Sequence, residues 1–193
     1  MLNQKLKNYN IILASGSPRR QQFFHDLGFD FEIRLREIDE IYPDKLNGQE
    51  ITNYLAQLKS AAFEGTLQPN DLLITSDTIV WHENKALGKP KDYEHAFQML
   101  QSLSNKTHQV ITSVCFKTQT TINLISDTTA VTFHPLTAAE IDYYLKHYKP
   151  YDKAGSYGIQ EWIGFVGVQK IEGSYTNVMG MPLDKVYHYL MNL

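Results

Sequence analysis

Ile11-Ile12-Leu13-Ala14-Ser15-Gly16-Ser17-Pro18-Arg19-Arg20 reads as a strand that runs directly into a helix. The apolar run ends in small residues, Ser17 suits the N-cap, and Pro18 suits the first helical position, where a missing N–H costs nothing. Backbone N–H groups and the positive end of the helix dipole then face whatever lies over the turn. Arg19 and Arg20 run against the dipole, which favours acids in a first helical turn. An anion above the turn would offset that cost. Solvated arginines at an ordinary strand–helix junction would look the same, so the turn alone leaves both readings open.

Outward from this junction, the apolar pattern alternates between helical and strand periods. Residues 18–27 predict a short helix closed by Gly28, and 29–35 alternate like a strand that leads into Glu37-Ile38-Asp39-Glu40. Ile51, Tyr54, Leu55, Leu58 and Ala62 keep helical spacing across 49–63. Leu72-Leu73-Ile74 and Ile79-Val80-Trp81 predict a strand interrupted by the polar Thr75-Ser76-Asp77-Thr78. Tyr93, Ala96, Phe97, Leu100 and Leu103 mark a helix that starts after Asp92. Two β-rich runs, 108–117 and 121–133, flank Thr118-Gln119-Thr120, a hairpin signal that argues against a purely parallel sheet. Thr137 and Glu140 form a capping-box pattern for a helix over 137–147. Residues 162–171 predict a strand turning at Glu172-Gly173, and the last helix begins at Pro182. The expected fold is α/β, a mixed twisted sheet flanked by helices. No repeat or long linker divides residues 1–193, which read as one domain.

Composition narrows the function. Of the 193 residues, 42% are hydrophobic and 20% charged, ordinary values for a soluble globular protein. A net charge of −3 offers no global field to hold nucleic acid, so any phosphate must be gripped locally. The lone Cys115 excludes an internal disulfide and reads as a buried reduced thiol. A polar start and the lack of any long apolar stretch predict a cytoplasmic protein that does not engage a membrane. The 7 histidines show no His-Glu-x-x-His spacing, and no Gly-x-Ser-x-Gly elbow, Walker loop or dinucleotide turn is present.

Asp77 is the leading candidate for chemistry. A carboxylate inside an otherwise apolar strand is costly unless it meets a cation or donors, so metal ligand and general base both suit it. A strand-end turn in which Asp77 bonds its own backbone is the plainer alternative. Asp39 and Glu40 follow a strand and could bring a second carboxylate to the same metal, although such runs are usually solvated. Lys89 is stiffened by Pro90 and suits a phosphate. Lys59 lies on the more polar side of its helix. The small-residue loop Asp152-Lys153-Ala154-Gly155-Ser156-Tyr157-Gly158-Ile159-Gln160 ends in an amide that can donate and accept at once, as a nucleobase edge requires. A second glycine-spaced loop, 173–182, precedes the final helix.

These segments, in this order, resemble the Maf family of nucleoside triphosphate pyrophosphatases. The matching motifs are Ala14 to Arg20, Ser76-Asp77-Thr78-Ile79-Val80, Gly88-Lys89-Pro90, Asp152 to Gln160, Gly173-Ser174-Tyr175 and Asn177 to Pro182. The resemblance implies cleavage of a nucleoside triphosphate between the α and β phosphates. It implies Asp77 as proton acceptor, and Arg19, Thr78 and Gln160 as residues that govern substrate choice. Glu40, Lys59 and Lys89 stand where the family keeps charged residues. The loop ending in Gln160 is similar to the branch acting on dTTP and UTP. Also implied are a divalent cation (Mg2+ or Mn2+), a cytoplasmic location, often a homodimer, and two lobes around a cleft in an inosine triphosphate pyrophosphatase-like fold. One departure is Ser76, where Ala is frequent in the family.

A mechanism consistent with both lines places the triphosphate on the Ser15–Arg20 turn, Ser15 and Ser17 included, with Lys59 and Lys89. Asp77 and Glu40 hold the metal, and Gln160 reads the pyrimidine edge. A different expectation is a nucleotide-binding regulator of cell division with little catalysis, which would not need Asp77. Single-stranded nucleic-acid binding, suggested by 12% aromatics, is disfavoured by the acidic net charge.

Overall fold

In the computed structural model, which describes every residue from Met1 to Leu193, a short α1 (Leu2–Lys5) leads into β1 (Asn10–Leu13) and α2 (Pro18–Asp26). There follow β2 (Glu32–Ile33), α3 (Gln49–Ala61), β3 (Asp71–His82), β4 (Lys85–Leu87), α4 (Tyr93–Leu103), β5 (Thr107–Lys117), β6 (Ile122–Phe133) and α5 (Ala138–Tyr148). A single 3-10 turn, Ala154–Ser156, precedes α6 (Trp162–Val166), β7 (Val168–Glu172), α7 (Tyr175–Val178) and α8 (Leu183–Met191). The seven strands form one mixed sheet in the order β2-β1-β3-β5-β6-β7, with β4 paired to β3. β1 runs parallel to both β2 and β3, whereas β3/β4 and β6/β7 are antiparallel. The expected mixed α/β architecture is therefore the observed one.

The backbone divides into two compact units. The first comprises Met1–Asp77, Thr112–Asp127 and Gly180–Leu193. Its core includes Ile12, Phe63, Leu67 and Leu73, with Ala14 and Ala62 packed against them. The buried positions of α3, among them Ile51, Leu55 and Ala56, follow the helical period seen in the sequence. Beside them lies a partly buried polar network: Ser113 and Ser126 both donate to Asn53 Oδ1 at 2.7 Å, and Thr52 meets Ser113 at 2.6 Å.

The second unit comprises Thr78–Ile111 and Thr128–Met179. α4 and α5 pack together over a core that includes Leu100, Leu103, Val131, Phe133, Ile141 and Leu145. Asp92 caps α4 by accepting from His95 N at 2.8 Å, and the Thr137/Glu140 capping box closes α5 as expected.

Three expectations are corrected. β3 is not interrupted at Thr75–Thr78, because Thr75 and Asp77 find partners on α3. Thr75 donates to Ala56 O at 2.6 Å, and Asp77 meets Lys59. The 29–35 strand shrinks to Glu32–Ile33, since Phe29 and Phe31 turn onto Phe24, each with ring centroids 5.4 Å away. The 162–171 strand divides into α6 and β7 at Gly167. An apolar run such as Trp-Ile-Gly-Phe-Val fits either period over so few residues. Only Ile163 of that run is fully buried, while Phe165 is 74% exposed, so the alternation does not mark a sheet face.

One buried group makes the second unit acid-sensitive. His108 is 2% exposed, with Nε2 2.7 Å from the Tyr157 hydroxyl and the Phe133 and Tyr157 rings edge-on at 5.3 and 5.4 Å. Burial, reinforced by nearby His82, lowers its pKa from 6.5 to about 3. The unfolded chain therefore binds the extra proton first. The stability that neutral His108 contributes is complete above pH 6.5 and is lost as pH falls toward 3. His108→Gln is expected to reduce the acid-dependent fall of the urea unfolding midpoint between about pH 7 and about pH 4. A midpoint profile parallel to wild type would contradict this assignment.

Candidate active site

Parallel pairing places the candidate residues of the first unit. Leu13 pairs with Ile74, and Ala14 N donates to Ile74 O at 2.9 Å. The Ser15–Arg20 turn and Asp77 therefore both lie just beyond the same end of this pair. That is the carboxyl end, where open α/β sheets bind ligands. β2 adds its register at Leu13↔Ile33, and the chain that follows it carries Glu40.

The turn is built as the sequence suggests, with one difference. Ser17 is the N-cap of α2 in an extended conformation and Pro18 is the first helical residue, but the Ser17 hydroxyl makes no cap bond. The Ser15 side chain organises the turn instead. It is buried and accepts from Ser17 N at 3.3 Å, while Gln21 Nε2 donates to Ser15 O at 3.0 Å. Arg20 reaches into the unit: its Nε donates to Gly180 O at 2.9 Å and its Nη1 to Ser76 O at 3.0 Å. The guanidinium thus ties the turn both to β3 and to the segment before α8. Burial pulls its pKa down and Asp77 opposes that pull, with Arg19 adding repulsion and Glu40 attraction. Arg19 follows Pro18 in the first turn and is partly buried.

Asp77 is 6% exposed, on the β3 face covered by α3. Lys59, three residues beyond Ala56 on that helix, places its ammonium 2.6 Å from Asp77 Oδ1, 3.0 Å from Glu40 Oε1 and 3.4 Å from Ser76 O. The lysine marked in the sequence for phosphate thus stands between the two carboxylates marked for metal. The self-bonded turn alternative for Asp77 does not occur. Burial raises its pKa above the ordinary aspartate value, Lys59 and Arg20 draw it back, and Glu40 adds to the rise. A raised pKa makes a carboxylate the stronger proton acceptor.

The donor chemistry also suits a hard divalent cation. Two carboxylate oxygens already converge on one positive charge. Magnesium characteristically takes one or two carboxylates and completes its shell with phosphate and water. No group of three or more His, Cys, Asp or Glu is assembled anywhere in the chain.

The remaining candidates, Thr78, Lys89 and Gln160, belong to the second unit. Thr78 directly follows Asp77 in β3 and is half-buried. Gly155 N donates to Gly88 O at 3.1 Å, which brings the Asp152–Gln160 loop beside the Gly88-Lys89-Pro90 turn. Gly155 is irreplaceable on two counts: its φ is +67°, and a Cβ there would lie 2.7 Å from Val80 Cγ2. Lys89 itself is exposed.

This loop is not the surface loop its composition permits, because residues 155–159 are all buried. Gly158 N donates to the Tyr144 hydroxyl at 3.0 Å, which in turn donates to Glu161 Oε2. Lys153, 9% exposed, pairs with Glu161 Oε1 at 3.0 Å and with Asp152 at 2.8 Å. Gln160 lies between these anchored neighbours and is partly exposed. Sequence reasoning passed over Tyr144, which reads as one more apolar position of α5, and assigned no role to Glu161. The available signal was Lys153, a charged residue amid small ones.

A family model described as Maf-like protein matches residues 10–193. The dTTP/UTP pyrophosphatase of Flavobacterium johnsoniae is 66% identical over 193 residues, covering 100% of both chains. That of Flavobacterium psychrophilum is 63% identical over 192 residues, covering 100% of this chain and 98% of the relative. Among solved structures, the Ham1 protein of Staphylococcus aureus overlaps more loosely. It covers 64% of this chain and 71% of its own at 18% identity, with a TM-score of 0.45. The motif order, the turn before α2 and the full-length identity agree, and the chain belongs to the Maf family.

Proposed function

We propose that this chain hydrolyses dTTP and UTP to the nucleoside monophosphate and pyrophosphate. The observation that carries the reading is Asp77, a carboxylate 6% exposed at the carboxyl end of a parallel strand pair, held by Lys59 and set beside the Ser15–Arg20 turn. Relatives that share 66% and 63% of their residues with it bear the name dTTP/UTP pyrophosphatase.

In this reading Asp77 accepts a proton from water as the water oxygen forms a bond to the α-phosphorus. The bond from that phosphorus to the α–β bridging oxygen breaks, and its electron pair leaves with pyrophosphate. Lys59 keeps Asp77 ionised in its buried setting and supplies positive charge toward the phosphates, a role shared by Arg19 and Lys89. Arg20 holds the turn in shape through Gly180 O and Ser76 O, and its partly buried charge adds to the field there. Ser15 and Ser17 present the turn to phosphate oxygens. Glu40 and Asp77 would hold a divalent cation, whose chemistry is to neutralise phosphate charge and acidify a bound water. Thr78 and Gln160 set substrate choice, with the Gln160 amide pairing to the carbonyl and ring N–H of the pyrimidine.

The direct test is incubation with magnesium and separate dTTP, UTP, CTP, ATP and GTP, with pyrophosphate and orthophosphate assayed apart. Pyrophosphate from dTTP and UTP is expected; orthophosphate alone would place the cleavage at a different bond. Asp77→Asn is expected to lower turnover by about 10²–10⁴ while its circular dichroism remains native. Wild-type turnover in that variant would remove Asp77 from the chemistry. Gln160→Ala should lose the preference for UTP over GTP, and an unchanged ranking of nucleotides would count against Gln160 as the base reader.

A further inference from the structure

The most constrained polar cluster outside the Asp77 centre surrounds Gln160. The Tyr144 hydroxyl accepts from Gly158 N at 3.0 Å and donates to Glu161 Oε2. It therefore fastens the chain two residues before Gln160 and one residue after it. Glu161 uses its other oxygen, Oε1, on the Lys153 ammonium at 3.0 Å. These side chains are largely withdrawn from solvent: Tyr144 is 0% exposed, and the Lys153 and Glu161 side chains are 10% and 18% exposed. Burial, then the Glu161 carboxylate, pushes the Tyr144 pKa well above the ordinary phenol value, which keeps its hydroxyl protonated and donating.

Gly158 shows how closely the two side chains share this space. A Cβ built there would lie 2.8 Å from Glu161 Cδ and 3.1 Å from Gln160 Nε2. The Gln160 amide and the Glu161 carboxylate thus lie over the same bare backbone. A core could have been filled there by apolar residues at lower desolvation cost, whereas a satisfied buried polar network specifies one geometry.

We infer that Tyr144, Glu161 and Lys153 are positioning residues for nucleobase selection, a clamp that fixes the Gln160 amide in the orientation that reads a pyrimidine. The inference rests on the proposal that Gln160 reads the base. The three residues act through Gln160 and do not touch the substrate. An amide has a donor and an acceptor at its two ends, so a rotated or displaced amide presents the wrong pattern to the base edge. Displacement by about 1 Å can cost on the order of 10²-fold in a positioned site.

The test compares kcat and KM for UTP, dTTP, CTP, ATP and GTP in wild type, Tyr144→Phe, Glu161→Gln, Lys153→Met and Lys153→Arg, with Gln160→Ala and the Gln160→Ala/Tyr144→Phe double variant alongside. Thermal melting identifies the variants that remain folded. Glu161→Gln keeps an oxygen for Tyr144 and serves if Tyr144→Phe does not fold. Expected is a loss of the UTP-over-GTP preference of about tenfold or more in Tyr144→Phe and Glu161→Gln, carried more by KM for UTP than by kcat. The double variant should be no less selective than Gln160→Ala alone, because the clamp acts through that amide. Lys153→Arg should restore preference lost in Lys153→Met. Folded clamp variants with wild-type preference, beside a Gln160→Ala that has lost it, would overturn the clamp and leave the base-reading proposal standing. A Gln160→Ala that keeps wild-type preference would overturn both.

Discussion

A carboxylate inside a strand covered on both faces must meet positive charge, and the arrangement of the first unit follows from meeting that demand at Asp77. The Lys59 ammonium at 2.6 Å answers it, and fixes which face of α3 lies over β3. The two contacts of Lys59 differ in weight. Its pair with Asp77 joins side chains 18% and 8% exposed, so removing one partner would leave a largely buried charge, a loss of about 3–5 kcal/mol where burial is complete. Its pair with Glu40 involves a side chain 48% exposed and belongs nearer the surface range of about 0–1 kcal/mol. Asp77–Lys59 is thus the structural bond, and the Lys59–Glu40 pair adds the smaller share.

The same demand explains why the polar interruption in β3 does not break the strand. Thr75 and Asp77 point to one face and are both satisfied by α3, through Ala56 O and Lys59. Arg20 completes the arrangement from the other side of the turn by bonding Ser76 O and Gly180 O. A cation near a helix N-terminus runs against the dipole. Here it is used where two main-chain carbonyls need a donor and two carboxylates lower its cost. Arg20, half of the arginine pair that looks like a phosphate signal in sequence, therefore has a structural duty.

In the second unit the controlling constraint is close backbone approach. Gly155 rests on Val80 with no room for a Cβ, and its N–H bonds Gly88 O, so the loop that ends in Gln160 cannot drift from the Lys89 turn. The Tyr144 hydroxyl then bonds on both sides of Gln160. A loop of small residues, which by composition suggests mobility, is made rigid by contacts that arrive from α4, α5 and β3. Its Ser156 hydroxyl even reaches the Met99 sulfur at 3.1 Å, and its Tyr157 hydroxyl reaches His108 at 2.7 Å.

The sequence by itself determined the mixed α/β class, the helices α2 to α5 to within a residue or two, the turn ahead of α2, and Asp77 as a charge that must find a partner inside its strand. These rest on local signals: apolar period, capping residues, Pro and Gly placement, and a charge where a strand wants none. Motif order was enough to suggest the family. What only the tertiary structure decided is where pairing partners come from. Lys59 sits between Asp77 and Glu40, although 18 and 19 residues separate it from them in sequence. Tyr144 serves the loop as a hydroxyl, although its helix shows it as an apolar position. The 162–171 run divided at Gly167, whose N–H closes α6 on Ile163 O at 2.8 Å. Periodicity reports which face of an element is buried, but the identity of the atoms it meets there depends on chain segments distant in sequence.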